Sequence, residues 1–120
     1  MADRVLYIGW GQPVRGREER ALEVFNEALG ILGRKQQEGR IESFDVALLD
    51  PNQLVDGFII ARGTTEQIDA LRADEEFMRN SIDAQLIVER LTHIEGYTNE
   101  GVARVMAMYQ EAIAKVPQHT

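Results

Sequence analysis

One histidine, His93, lies within a patterned segment of the chain, whereas the other, His119, lies next to the C-terminus. A histidine titrates near neutral pH and acts as a general acid or base when a carboxylate orients its ring. Asp45 on the second predicted strand, or Glu95 on the same strand as His93, would supply that carboxylate. The alternative is a hydrogen-bonded histidine at a sheet edge or a subunit contact. His93 is therefore a candidate catalytic base in competition with a structural role.

A glycine-rich loop at residues 9–17 joins the first predicted strand to the first predicted helix. Backbone amides at the start of a helix attract anions, and Arg15 would add a positive charge there. Val14 stands where a dinucleotide-binding fingerprint requires its third glycine, and the lysine and hydroxyl residues of a phosphate-binding loop do not follow. The loop thus offers either an anion contact at Arg15 or a plain turn whose arginines pair with nearby glutamates.

Aromatic side chains on or beside the predicted strands could line a cavity for a small apolar molecule. The candidate ligand contacts are Tyr7, Trp10 and Phe58. Arg62 interrupts the apolar third strand near its end, where it would hold an acidic group of the ligand or form an ion pair with Asp45 or Glu95. Close-packed protein cores contain the same aromatic residues, so a filled core is the competing interpretation.

Composition and charge exclude or disfavour several kinds of chemistry. The chain has no cysteine, which excludes disulfides and thiolate catalysis, and one internal histidine cannot complete a nitrogen-based metal site. We therefore expect neither a metal nor a cofactor. The net charge of −7 would repel nucleic acid and anionic membrane surfaces. No segment has the apolar length of a membrane span or a signal peptide, so the cytoplasm is the expected location.

The elements that must position these side chains follow the order β-α-β-β-α-β-α. The predicted strands are residues 5–10, 41–49, 57–62 and 86–95. The first helical pattern covers residues 17–38. The second begins with capping-box spacing at Thr64 and starts again near Asp74, and the third is capped at residues 98–99.

Six of these elements, in this order, form the ferredoxin-like β-α-β-β-α-β unit, which has an antiparallel four-stranded sheet and helices on one face. Residues 5–10 and 57–61 are apolar on both faces, whereas a strand with one solvated face should alternate with polar residues. The second face must therefore be covered by the extra C-terminal helix or by the same sheet of a second copy. We predict a single α+β domain over residues 1–120.

Residues 56–63, DGFIIARG, followed by residues 71–78, LRADEEFM, are similar to the middle of small proteins of the dimeric α+β barrel superfamily. These include the stress-responsive A/B-barrel, YCII-related and antibiotic-biosynthesis monooxygenase-like families. The resemblance implies a homodimer in which two sheets pack face to face. The cofactor-free monooxygenases among these proteins place an asparagine and a tryptophan in one pocket; here the sequence provides Trp10 but assigns no asparagine beside it.

Three functions remain open from the sequence. The first is a homodimer that binds a small, partly apolar molecule in a cavity beside the sheet, with Arg15 or Arg62 orienting any acidic group. The second is a cofactor-independent oxygenase or cyclase with His93 as its base. The third is a structural or interaction module without a cavity. The expected partners are a second copy of the chain and a small molecule, with neither nucleic acid nor a membrane.

Overall fold

The computed structural model describes residues 1–117 and 119. Its strands are β1 (Arg4–Trp10), β2 (Ser43–Leu48), β3 (Gly57–Gly63) and β4 (Thr92–Tyr97). Its helices are α1 (Glu18–Gln37), α2 (Thr65–Ala73), α3 (Glu75–Gln85) and α4 (Glu100–Ala114). The chain order is β1-α1-β2-β3-α2-α3-β4-α4, which confirms the predicted α+β arrangement. Within the described residues, none of the helices is both long enough and apolar enough to cross a membrane.

The four strands form one antiparallel sheet in the order β2-β3-β1-β4. Leu6 and Ile8 of β1 pair with Ala61 and Ile59 of β3, and all four side chains are buried. They point to the face of the sheet that packs against α1, α2 and α3, which we call the inner face. The helix residues that complete this core are Leu32, Ile68, Leu71 and Phe77. Helices therefore cover one face of the sheet, as the ferredoxin-like unit requires.

Two N-caps divide the segment after β3 into separate helices. The Thr64 hydroxyl accepts a hydrogen bond from the Gln67 backbone N–H at 3.2 Å, and the Gln67 side chain accepts one from the Thr64 N–H at 2.8 Å. Asp74 ends α2 in an extended backbone conformation, and its carboxylate accepts from the Phe77 N–H at 2.9 Å to begin α3. Both predicted helix starts are confirmed, because in each helix one of the otherwise unpaired N–H groups of the first turn donates to the cap side chain.

The predicted fourth strand over residues 86–95 is wrong in its first half, because β4 begins only at Thr92. The apolar residues before it pair with the loop after β1 rather than with the sheet. The Val14 N–H donates a hydrogen bond to the Ile87 carbonyl at 2.8 Å. The backbone of this segment thus has a hydrogen-bond partner outside the sheet. Arg90 then adopts a positive φ of 53° and redirects the chain into β4.

The opposite face of the sheet, which we call the outer face, is not covered by the C-terminal helix. α4 contacts the start of the chain at its first turn, where the Asn99 side chain donates to the Ala2 carbonyl at 2.8 Å and Gly101 is buried. Beyond that turn the described residues of α4 are exposed, apart from the half-buried Val105. On the outer face, Ile94 is 55% exposed. The structure therefore leaves this apolar face open in a single chain.

Candidate ligand-binding cavity

A cavity of about 270 Å³ lies between the inner face of the sheet and helices α1 and α3. The sheet, both helices and the segment that precedes β4 all contribute to its wall. Its lining residues are Ile8, Trp10, Pro13, Glu18, Ala21, Leu22, Val24, Phe25, Ala28, Leu48, Ile59, Asn80, Ala84, Ile87, Val88 and Leu91. Apart from Glu18 and Asn80, these residues are apolar or aromatic, which is the usual composition of a small-molecule site.

Trp10 is held in the cavity wall by a glycine on one side and an aromatic ring on the other. It pairs across the sheet with Gly57, where an added Cβ would lie 2.8 Å from the indole. Its ring also meets that of Phe25 in α1, with centroids 5.6 Å apart and planes inclined by 59°. Because glycine leaves room for the indole on β3, the ring is fixed between strand and helix.

Asn80 of α3 is the buried polar side chain of the cavity wall, with 8% of its surface exposed. One N–H of its side-chain amide donates to the Val24 carbonyl at 3.1 Å. An amide carries a second N–H and an acceptor oxygen, so Asn80 has hydrogen-bonding capacity for a ligand.

The sequence analysis missed Asn80 as a neighbour of Trp10. The signal that could have located it is its place three residues after Phe77, on the stripe of α3 that faces the core. Asn80 of α3 and Trp10 of β1 both line this one cavity.

Tyr7 and Phe58 lie on the outer face and do not share the cavity with Trp10. Their rings stack with centroids 5.6 Å apart and an angle of 29° between planes. Tyr7 and Trp10 are three positions apart in β1, and alternation along a strand sends them to opposite faces. The expected grouping of these aromatic residues in one cavity is corrected by this register, because the sheet itself separates them.

The two candidate anion-binding arginines also lie away from the cavity wall. Arg62 is on the outer face and donates to the Asp45 carboxylate at 2.6 Å, which is the ion pair that the sequence left as an alternative. Arg15 is exposed in the loop before α1 and does not line the cavity. Within residues 1–117 and 119, no three histidine or carboxylate side chains converge as a metal site would require.

His93 lies on the inner face, opposite Ile8 of β1, in contact with the protein core. Its ring is 5.8 Å from that of Phe77, centroid to centroid. Burial first, and then the positive charge of Arg72, hold the pKa of His93 below its usual range. Of its two candidate partners, Asp45 lies on the outer face and Glu95 accepts hydrogen bonds from two arginines. His93 does not line the cavity.

No protein-family model matches the chain, and no curated protein matches it. Solved structures do resemble it. One is a dimeric protein of unknown function and ferredoxin-like fold from Bacteroides fragilis NCTC 9343, 12% identical, with a TM-score of 0.59 over 79% of this chain and 96% of that one.

Two further solved structures are similar. A candidate antibiotic biosynthesis monooxygenase from Chloroflexus aurantiacus J-10-fl is 15% identical, with a TM-score of 0.53 over 80% of this chain and 93% of that one. SnoaB, a cofactor-independent oxygenase from Streptomyces nogalater, is 14% identical, with a TM-score of 0.50 over 82% and 93%. At these identities the likeness shows the fold alone, and it confirms the predicted ferredoxin-like architecture.

Proposed function

We propose that this protein is a homodimer in which each subunit binds a small, largely apolar molecule in the cavity beside Trp10. The observation that carries the proposal is the cavity itself, a solvent-open pocket of about 270 Å³ with apolar walls and one buried amide. Concave sites with aromatic and aliphatic walls and a few polar groups are typical of small-molecule binding. The cavity therefore favours ligand binding over the alternative of a module without a cavity.

The dimer is supported by the outer face of the sheet. Tyr7, Phe58 and Ile60 are half-buried there and Ile94 is exposed, so an apolar surface extends across three strands. Contiguous apolar surfaces of this kind mark interaction sites. A second copy related by a twofold axis would cover the face with an identical face. The structurally similar Bacteroides fragilis protein is described as dimeric, which supports the same assembly.

Helix α4 would extend this interface. Val102, Met106 and Tyr109 are exposed and recur at helical spacing, so they form one apolar stripe along the helix. The stripe stays exposed because the described contacts of α4 with the start of the chain come from its N-terminal part, at Asn99, Gly101 and Arg104. In the proposed dimer, the stripe of each subunit packs against the partner.

The alternative of an oxygenase or cyclase with His93 as base has less support. The His93 ring contacts Phe77 and does not line the cavity where a substrate would lie. SnoaB is described as a cofactor-independent oxygenase, but its likeness to this chain extends to the fold. We therefore propose ligand binding and not a reaction that depends on His93.

Trp10 provides the readout for the binding test because it is the sole tryptophan of the chain. Phenethyl alcohol, an uncharged aromatic probe, should change the indole fluorescence saturably. Ala84→Leu places extra methyl groups in the cavity and should weaken binding by about tenfold or more, since overpacking excludes the probe.

The matched control is Ala73→Leu at the exposed end of α2, away from the cavity. It should bind the probe as the wild type does. Circular dichroism and thermal melts establish that both variants are folded before titration. A wild-type protein that shows no saturable response, or equal affinity in Ala84→Leu and the wild type, would overturn the proposed cavity function.

A further inference from the structure

The charge at the cavity wall comes from one side chain. Among the described residues that line the cavity, Glu18 is the only titratable one. It is the first residue of α1, and its carboxylate accepts a hydrogen bond from the Gly16 backbone N–H at 2.9 Å. This contact holds an exposed carboxylate at the point where the cavity meets solvent. A ligand that enters the cavity therefore passes a fixed negative charge.

The surface outside the cavity is acidic as well. A shallower groove shares Trp10 and Glu18 with the cavity and continues to Asp56 before β3. No arginine or lysine is among the described residues that line either the cavity or this groove. The net charge of −7 adds a weak field of the same sign. Both the cavity wall and the adjoining groove thus favour the binding of a cation over that of an anion.

Nearby positive charges do not reverse this balance. Arg20, the third residue of α1, pairs with Asp83 at 3.3 Å and with two glutamates of its own helix. Arg15 and Arg17 are exposed in the preceding loop, outside the cavity wall. The N-terminus of a helix contributes roughly half a positive charge, which is less than the combined charge of Glu18 and Glu19 in the first turn of α1.

We propose that the ligand of this cavity is a small amine, with an aromatic or aliphatic body among the apolar walls and an ammonium group at Glu18. The inference rests on the proposed ligand-binding function and specifies the chemical class of the ligand. Asn80 supplies an additional polar contact deeper in the wall, where its amide can bond to a hydroxyl or a second amine of the molecule.

The experiment compares three probes with the same aromatic body and different charge: phenethylamine, phenethyl alcohol and hydrocinnamate. Dissociation constants are measured by Trp10 fluorescence at low ionic strength. We expect phenethylamine to bind about 25-fold more tightly than hydrocinnamate, since an exposed charge pair contributes about a fivefold factor, once as attraction for the amine and once as repulsion for the acid. Added salt should reduce this ratio because the pair is screened.

Two variants distinguish the effect of the Glu18 charge on ligand preference from the effect of the protein's overall charge. Glu18→Gln keeps the acceptor for the Gly16 N–H but removes the charge, and the amine-to-acid ratio should fall to about twofold. Glu19→Gln makes the same change one residue along, at a side chain that does not line the cavity, and should keep most of the preference.

The outcomes distinguish this inference from the function on which it rests. If phenethyl alcohol binds and the wild type shows no preference for the amine, the amine inference is wrong while the cavity function stands. An equal loss of preference in Glu18→Gln and Glu19→Gln also overturns the inference, because the local carboxylate would then have no special role. If none of the three probes binds, the proposed cavity function fails as well.

Discussion

Trp10 and His93 both point to the inner face of the sheet, yet their neighbours differ. Trp10 lies at the end of β1, where Gly57 leaves space for the indole and the ring lines the cavity. His93 lies in the register of Ile8, where α3 supplies Phe77 as a close neighbour. Judged by side-chain chemistry alone, the histidine is the better candidate for a functional group. The structure favours the tryptophan, because Trp10 lines the cavity and His93 does not.

The lowered pKa of His93 makes a prediction about stability and pH. An unfolded histidine titrates near pH 6.5, and the folded side chain takes up its proton at a lower pH. Between these two values the unfolded chain binds more protons, so stability should be complete above about pH 6.5 and fall as the pH decreases through this window. His93→Gln should remove this part of the pH dependence, as measured by urea unfolding at successive pH values.

Proton NMR titration of the His93 ring checks the same prediction directly. Arg72→Gln should move the His93 pKa back towards its usual value, because Arg72 is the second cause of the shift. Arg79→Gln is the matched control, since Arg79 bonds to Glu75 on an exposed part of α3. A His93 pKa at or above 6.5 in the wild type would contradict the burial that the structure assigns to this ring.

At the scale of elements, Asp74 lies between α2 and α3 and links them to α1. One carboxylate oxygen accepts from the Phe77 N–H at 2.9 Å, and the other accepts from the Lys35 ammonium at 2.8 Å. Lys35 is 7% exposed, and Asp74 is the counter-charge of this buried side chain. The Lys35 hydrogen bond first, and then the Phe77 N–H, hold the pKa of Asp74 below its usual range.

Asp74→Asn should destabilise the protein by about 2 to 4 kcal/mol at pH 7, since it leaves a buried cation without its counter-charge and weakens a cap. The stabilisation is present above about pH 3.9, the unfolded value, and is lost as the pH falls through the lower folded value. The difference between wild type and variant should therefore shrink in acid, as measured by denaturant unfolding.

Glu76→Gln serves as the control, because Glu76 pairs with Arg34 at the surface at 2.7 Å and carries the same formal charge. Its loss of stability should be clearly smaller, since exposed ion pairs contribute little. A difference between Asp74→Asn and the wild type that stays constant from pH 7 to pH 2 would contradict the role of the charged pair.

The elements could be predicted from sequence where local signals are strong. The Thr64 capping box, the Asp74 restart and the apolar β1 and β3 are set by neighbouring residues, and all appear as expected. The apolar run before β4 was misassigned, because its partner is the loop after β1 and no local pattern encodes that contact. A cavity beside the sheet with Trp10 in its wall was predicted, but Asn80 was not, because its place in the wall depends on how α3 packs.

At the scale of the whole molecule, the protomer is elongated. Its radius of gyration is 17.1 Å, and a compact domain of this length would have about 14 Å. The largest dimension is 55 Å, consistent with a C-terminal helix that contacts the start of the chain through its N-terminal part and is exposed beyond it. Two elements were expected as possible covers of the outer face: the C-terminal helix and the sheet of a second copy. Because α4 is exposed, it does not cover this face within one chain. A second copy then remains as the occupant that we propose.

Two isoleucines with nearly equal exposure permit a matched test of the dimer. Ile94 is on the outer face of β4 and is 55% exposed, and Ile82 is on α3 in the helical layer and is 54% exposed. Ile94→Lys should weaken dimerisation by about a hundredfold or more, because a twofold axis would bury two unpaired ammonium groups. Ile82→Lys should leave the wild-type dimer intact.

The measurement is light scattering across micromolar concentrations, with thermal melts to establish that both lysine variants are folded. The wild type and Ile82→Lys should have twice the protomer mass, and Ile94→Lys the mass of one protomer. A wild type that stays monomeric, or an Ile94→Lys variant as dimeric as Ile82→Lys, would show that the outer face is not the interface. Because the cavity lies on the inner face, Ile94→Lys should still bind phenethyl alcohol, so assembly and ligand binding can be tested separately.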